Sequence, residues 1–172
     1  MADHISLLGH PVYVVPKLGN NIGDIPSGAK KVREVIEENK LKNIVIVAHS
    51  KGGLITKYLL IHEDPEQKVK GLIAIATPFH GSSIGKFIPH YSVQELTKDS
   101  DIIHYLAEHS EVNGKIVSII PSYDNAVWRD KGSHLEGAMQ NIEVEIPGHN
   151  LILKDKKVWT IVVEWIEKIT RL

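Results

Sequence analysis

Ile44-Val45-Ile46-Val47-Ala48-His49-Ser50-Lys51-Gly52-Gly53-Leu54-Ile55 is the stretch that decides the fold. Its first five residues are apolar and mostly β-branched, the pattern of a strand buried on both faces. The run passes directly into a serine, and Leu54, Ile55, Tyr58 and Leu59 then recur at helical spacing. A strand that becomes a helix at a serine must bend sharply there. The bend strains the serine backbone and leaves room only for small residues two positions to either side. Ala48 and Gly52 hold those positions. Such a turn lifts the hydroxyl above the sheet edge and presents the electropositive start of the helix to a developing oxyanion. Ser50 therefore reads as a nucleophile, with the Lys51 backbone amide as an oxyanion donor. The competing reading is an ordinary strand-to-helix turn with a surface serine. The first glycine of the G-x-S-x-G pattern is absent, so the case rests on the strand, the Ala-His-Ser-x-Gly-Gly run and the helix together.

Outward from this turn, Val12 to Val15, Leu72 to Ala76, Ile116 to Ile120 and Ile142 to Ile146 read as further strands. Helices are expected between them. Ala29, Val32, Val35 and Ile36 form one apolar stripe, entered through Pro26-Ser27. Val158, Val162, Trp165, Ile166 and Ile169 form another, with Asp155 as N-cap. Strand and helix in alternation imply an α/β fold, a mostly parallel sheet of about five strands flanked by helices. The 172 residues suit one domain. Residues 77–115 are the longest stretch without a strand. They read equally as a lid or cap and as a plain helical excursion, with a helix around Ile102 to Ala107.

A serine nucleophile needs a base, and the base needs an orienting acid. Asp124 follows the Ile116 strand in Pro121-Ser-Tyr-Asp-Asn125, and His149 follows the Ile142 strand in Pro147-Gly-His-Asn150. Both lie just past the carboxyl ends of strands, where ligands bind in open α/β sheets. The order Ser, Asp, His is the one that accompanies a strand–serine–helix turn of this kind. The chain has ten histidines, so rivals exist. His134 precedes its strand, and Asp130 lies deeper in its loop than Asp124. His80 is placed near the site, with a packing or turn role favoured. His104 and His109 are five apart and so fall on different helix faces, which implies no zinc pair. Trp128, Trp159 and Trp165 read as packing residues rather than acyl-pocket walls.

Composition narrows the function classes. The net charge is −1 with acids and bases interspersed, so no basic stripe points to nucleic acid. There is no cysteine, which removes disulfides, thiol catalysis and thiolate metal sites and fits a reducing compartment. The apolar runs are too short to span a bilayer, and no signal-peptide pattern opens the chain. A cytoplasmic location is the expectation.

At these residues the sequence resembles the lipases and esterases of the α/β-hydrolase superfamily, including the small lid-poor bacterial lipases, from Leu8 onward. Ala48-His-Ser-Lys-Gly-Gly-Leu54 looks like their nucleophile motif, and Ala76-Thr-Pro-Phe-His-Gly-Ser82 like their T-P-x-x-G-S turn. Leu96 to Leu106 is similar to a helical segment of many of these lipases, and Leu135 to Asn141 followed by Gly148-His149 also fits. The resemblance implies ester hydrolysis through an acyl-enzyme, with no cofactor and no metal. It implies a small-molecule or lipid ester as substrate, and supports His149 as the base.

One departure bears on the chemistry. The family takes an oxyanion donor from a His-Gly loop after an earlier strand, and Leu7-Leu-Gly-His-Pro-Val-Tyr-Val-Val-Pro16 looks like the segment after that strand. The missing strand belongs between the Val12 and Ile44 strands. Its loss is expected to make those two strands pair directly, to leave a gap filled by a partner chain in a homo-oligomer, or to mark a truncated relative. Lys17-Leu-Gly-Asn-Asn21 is one source for a substitute donor, against a plain polar turn. Three readings of function follow: a carboxylic ester hydrolase, a weak or inactive relative serving as a binding module, and a triad enzyme acting as acyltransferase, thioesterase or amidase.

Overall fold

The computed structural model describes residues 1–19, 23–82, 94–124 and 132–172. A four-stranded parallel sheet in the order β1-β2-β3-β4 forms its centre. The strands are β1 (Ile44–His49), β2 (Val69–Ile75), β3 (Ile116–Tyr123) and β4 (Gln140–Pro147). Around them lie α1 (Ala2–Leu7), α2 (Ile25–Glu38), α3 (Lys51–His62), α4 (Asp101–Glu108) and α5 (Lys156–Thr170). Strand order follows chain order, and parallel pairing requires the chain to return to the same end of the sheet between strands.

The apolar residues sort onto the two faces by strand alternation. Leu72, Ala74 and Ile116 pack with Ile25, Val32, Leu54, Leu59, Ile103 and Leu106 on one face. Ile73, Ile75, Val117 and Ile119 pack with Ile5, Val158, Val162 and Ile166 on the other. β2 is buried along nearly its whole length, as its unbroken apolar run demands.

Helix boundaries follow their caps. Asp155 accepts from the Lys157 amide at 2.7 Å and opens α5 as expected. α4 is capped by Ser100. α2 starts earlier than Pro26-Ser27 suggests: Asp24 is the N-cap, accepting from the Ser27 amide at 2.7 Å, and Pro26 sits in the first turn, where its missing N–H costs nothing.

The Val12–Val15 strand does not form, and the described residues make a sheet of four strands where about five were expected. Val12, Tyr13 and Val14 are 38%, 52% and 66% exposed. Strand propensity is expressed only where a neighbour supplies the ladder. Among the described residues no strand pairs with this segment, and the segment does not close up onto β1. β1 is therefore an edge strand, with all six residues only half-buried.

Of the 77–115 excursion, 83–93 lies outside the described residues, as do Asn20, Asn21, Trp128 and Asp130. Among the described residues no helix is long and apolar enough to cross a membrane.

Candidate active site

β1 ends at His49, Ser50 is the turn and α3 begins at Lys51. Ser50 has φ 53° and ψ −127°, in the region that favours glycine. Two backbone bonds brace it there: its amide donates to the Ile75 carbonyl at 2.9 Å, and its carbonyl accepts from the Gly53 amide at 3.0 Å. The small flanking residues have the reason the sequence suggests. A Cβ on Gly52 would stand 3.4 Å from the Ala48 Cβ, so larger groups at both places would collide. Gly53 is tighter still, since a Cβ there would fall 2.1 Å from Thr77 Oγ1. The turn after β2 is thereby packed directly against the start of α3.

The loops after β3 and β4 bring their polar residues to the same sheet end. The Gly148 amide donates to the Tyr123 carbonyl at 2.7 Å, with Gly148 at φ 107°. This bond seats the His149 loop beside Asp124. His149 Nδ1 lies 2.9 Å from Asp124 Oδ2 and 3.1 Å from Oδ1, and its Nε2 lies 2.8 Å from Ser50 Oγ. The side chains of His149 and Asp124 are 13% and 7% exposed, so water screens this pairing little. With the Asp124 carboxylate as acceptor, Nδ1 carries the proton and Nε2 is left to accept from the serine hydroxyl.

Two neighbours were not singled out by sequence reasoning. His49 Nε2 lies 2.8 Å from the His149 carbonyl oxygen, and the two rings are 4.7 Å apart. Burial lowers the His49 pKa, with the His149 charge acting in the same sense against the hydrogen bond and Asp124. The neutral ring therefore donates Nε2–H to that carbonyl and braces the loop. The second is the Lys51 side chain, buried at 6% exposure, whose Nζ donates to the Gly23 carbonyl at 2.6 Å and pairs with Glu95. Only the backbone of Lys51 carries a signal in the sequence. The partners of both side chains lie on loops far away in the chain, and no local pattern announces them.

The rival candidates are elsewhere. His134 makes no described contact with Ser50 or Asp124, and His80 is exposed on its turn, its amide donating to the Gly132 carbonyl at 3.2 Å. His109 bonds the Tyr105 carbonyl and His62 the Tyr105 hydroxyl, on the α3–α4 side. Trp159 donates to the Leu153 carbonyl at 2.7 Å, and Trp165 carries Lys168 over its ring. Among the described residues no group of three or more metal-ligating side chains is found.

A sheet whose strands run parallel into an acid, a histidine and a strained serine is the frame of the α/β-hydrolases, and residues 25–163 match the family model described as a PGAP1-like alpha/beta domain. The chain belongs to this family. The PGAP1-like domain is also similar to solved structures. The mature form of the Bacillus licheniformis lipase BlEst2 matches with a TM-score of 0.66 at 16% identity, over 83% of this chain and 74% of that one. Aspergillus fumigatus lipase B matches with a TM-score of 0.67 at 15% identity, over 83% of this chain and 42% of that one. This chain therefore spans less than half of the fungal lipase. A carboxylesterase structure from the thaumarchaeon Nitrososphaera gargenis matches with a TM-score of 0.64 at 13% identity, over 87% of this chain and 74% of that one. No curated protein matches. At these identities the likeness establishes an α/β-hydrolase fold, and the PGAP1-like domain is a member of that superfamily.

Proposed function

We propose that this PGAP1-like domain is a serine hydrolase that cleaves carboxylic esters of small molecules or lipids, with Ser50 as nucleophile, His149 as base and Asp124 as orienting acid. The observation that carries the reading is the unbroken Asp124–His149–Ser50 hydrogen-bond chain, at 2.9 and 2.8 Å, on a backbone held at φ 53°. Ser50 Oγ attacks the ester carbonyl while His149 Nε2 takes its proton, forming the C–O bond of a tetrahedral intermediate. The intermediate expels the alcohol, to which His149 returns the proton. Water, deprotonated by the same nitrogen, then attacks the acyl-Ser50 ester and releases the carboxylic acid. Asp124 keeps the proton on Nδ1 and stabilises the imidazolium that forms in each half. No cofactor enters this scheme.

The Lys51 backbone amide, at the start of α3, is the donor to the oxyanion. A second donor is sought in the Lys17–Asn21 loop, whose described part ends at Gly19. Removing one such donor typically slows a hydrolase about 10²–10³-fold. The edge position of β1 among the described strands favours one alternative: a weak or inactive relative that serves as a binding module.

Fluorophosphonate labelling read by intact mass tests the proposal without a guess about substrate. We expect one adduct on the parent chain, none on Ser50→Ala, and turnover of short p-nitrophenyl esters by the parent alone. A folded parent that takes up no probe would rule the reading out.

A further inference from the structure

Lys51 combines two features that the chemistry above does not require of one residue. Its amide opens α3 beside the nucleophile, and its ammonium is buried. Burying an ammonium is strongly unfavourable unless it is paired and hydrogen-bonded, so a retained buried lysine calls for an explanation in its partners. Nζ donates to the Gly23 carbonyl at 2.6 Å and is ion-paired with Glu95, the two side chains being 7% and 9% exposed. The second Glu95 oxygen accepts from the amide of Ile25, the first residue of α2, at 3.3 Å. Asp24, between Gly23 and Ile25, caps that helix, and its carboxyl is held below the usual carboxylate range first by the Ser27 amide and to a lesser degree by Lys51.

Three segments far apart in sequence therefore meet on one side chain: the Ser50 turn, the entry to α2 and the segment leading into α4. Apolar packing does not fill the space beside them. A cavity of about 330 Å³, lined by Asp24, Pro26, Glu95, Ser100, Asp101 and Ile102, separates the start of α2 from the start of α4. Across such a space directional polar contacts, rather than packed methyl groups, set the relative position of the two segments.

We propose that the Lys51–Glu95 pair is a positioning device for the oxyanion side of the site. It locks the residue whose amide faces the reacting oxygen to the chain at Gly23–Ile25, and so fixes both against the Ser50 turn. The inference rests on Ser50 being the nucleophile. Its mechanical part, the fixing of the α2 entry, is open to measurement without that assumption. The pair is neutral as a whole, so its role is to hold geometry and not to add charge at the oxyanion. Displacing an oxyanion donor by about an ångström is enough to cost on the order of a hundredfold in rate.

The test uses the double variant Lys51→Met/Glu95→Leu, because replacing both members of a buried pair by apolar residues of similar size tends to preserve stability where a single replacement does not. The double variant is expected to melt near the parent temperature and to label with fluorophosphonate about 10–100-fold more slowly. On a p-nitrophenyl ester the loss should fall in kcat, with KM changed less than threefold, a split that simple destabilisation does not produce. Amide exchange over residues 23–28 should rise at least tenfold, while β2 and β3 exchange as in the parent. Should the double variant fold poorly, Glu95→Gln keeps the shape, removes the charge and is read by the same measurements. Parent-like labelling, or parent-like exchange at the α2 entry, overturns the proposal. If the parent itself takes no probe, the ester-hydrolase reading fails separately, and exchange alone then decides whether the pair fixes the loop.

Discussion

Ser50 stands at φ 53° and ψ −127°, a conformation that costs a non-glycine residue roughly 1–3 kcal/mol. The cost is met by its two backbone bonds and by the packing of Gly53 on Thr77. The strain belongs to the position and not to the hydroxyl, which yields a prediction about two inactive variants. Both Ser50→Gly and Ser50→Ala should lose labelling, yet Ser50→Gly should be the more stable by about 1 kcal/mol, because glycine occupies this region without a Cβ clash. Urea denaturation of the two compares them directly. Equal midpoints would mean that the turn relaxes when the serine is removed, and that the strain is not built into the frame. His149 acts at the same scale through its loop, held by Gly148 at one side and by the neutral His49 at the other.

α3 shows how one element serves both the core and the site. It is apolar almost all round and packs against α2 and β2, with Leu54, Ile55 and Leu59 buried. Gly28 lets α2 approach closely, since a Cβ there would come within 2.7 Å of Ile55. Among these apolar contacts lies Lys57, 1% exposed, and burial pulls its pKa down to about 8, against a smaller opposing effect of Glu111. The sign follows from linkage. In the unfolded chain this amine stays protonated to about pH 10.4, so between about 8 and that value the unfolded state binds more protons and stability rises with pH. Below about 8 the folded protein carries the full penalty, roughly 3 kcal/mol. Lys57→Met, of similar length and without charge, should therefore raise stability by about 1–3 kcal/mol at pH 7. The gain should shrink to about 1 kcal/mol or less at pH 10. Chemical denaturation at the two pH values checks this, and a gain independent of pH would show that the ammonium is not what the site resists.

For the molecule as a whole, the consequential feature is the side of β1 that no described strand pairs with. The Ile44 amide bonds Lys68 and the Ser50 amide bonds Ile75, so alternation turns the polar backbone groups of Val45, Val47 and His49 outward. β1 has no proline and no Asp, Glu, Lys or Arg to discourage another strand, and its register irregularity lies at Ile44/Val45 in the pairing with β2. Leu7, Leu8, Tyr13 and Val14 are also all more than half exposed. The strand edge and these exposed apolar side chains favour self-association. We expect sedimentation velocity at rising concentration to show species heavier than the monomer, and Tyr13→Lys/Val14→Lys, which alters only exposed positions, to shift the distribution toward monomer. A parent chain that remains monomeric at high micromolar concentration would contradict this.

Local patterning in the sequence was enough for much of this architecture. The unbroken apolar run Ile44–Ala48 entering Ser50, flanked by Ala48 and Gly52, announces a parallel strand and a tight turn, because only small residues fit there. The burial on both faces that such a run implies is reached by β2, whereas β1 lies at the sheet edge and is only half-buried. The positions of Asp124 and His149 just past strand ends were legible for the same reason: in a parallel sheet every strand delivers its following loop to one edge. What the tertiary structure alone decided depends on neighbours. Val12–Val15 has strand chemistry yet forms none, because a strand needs a partner for its backbone groups, and whether the segment pairs with β1 is decided by packing that no local pattern records. The pairing of Lys51 with Glu95 and of His49 with the His149 carbonyl joins residues dozens of positions apart. Such contacts are set by how helices and loops stack over the sheet, and no local periodicity records them.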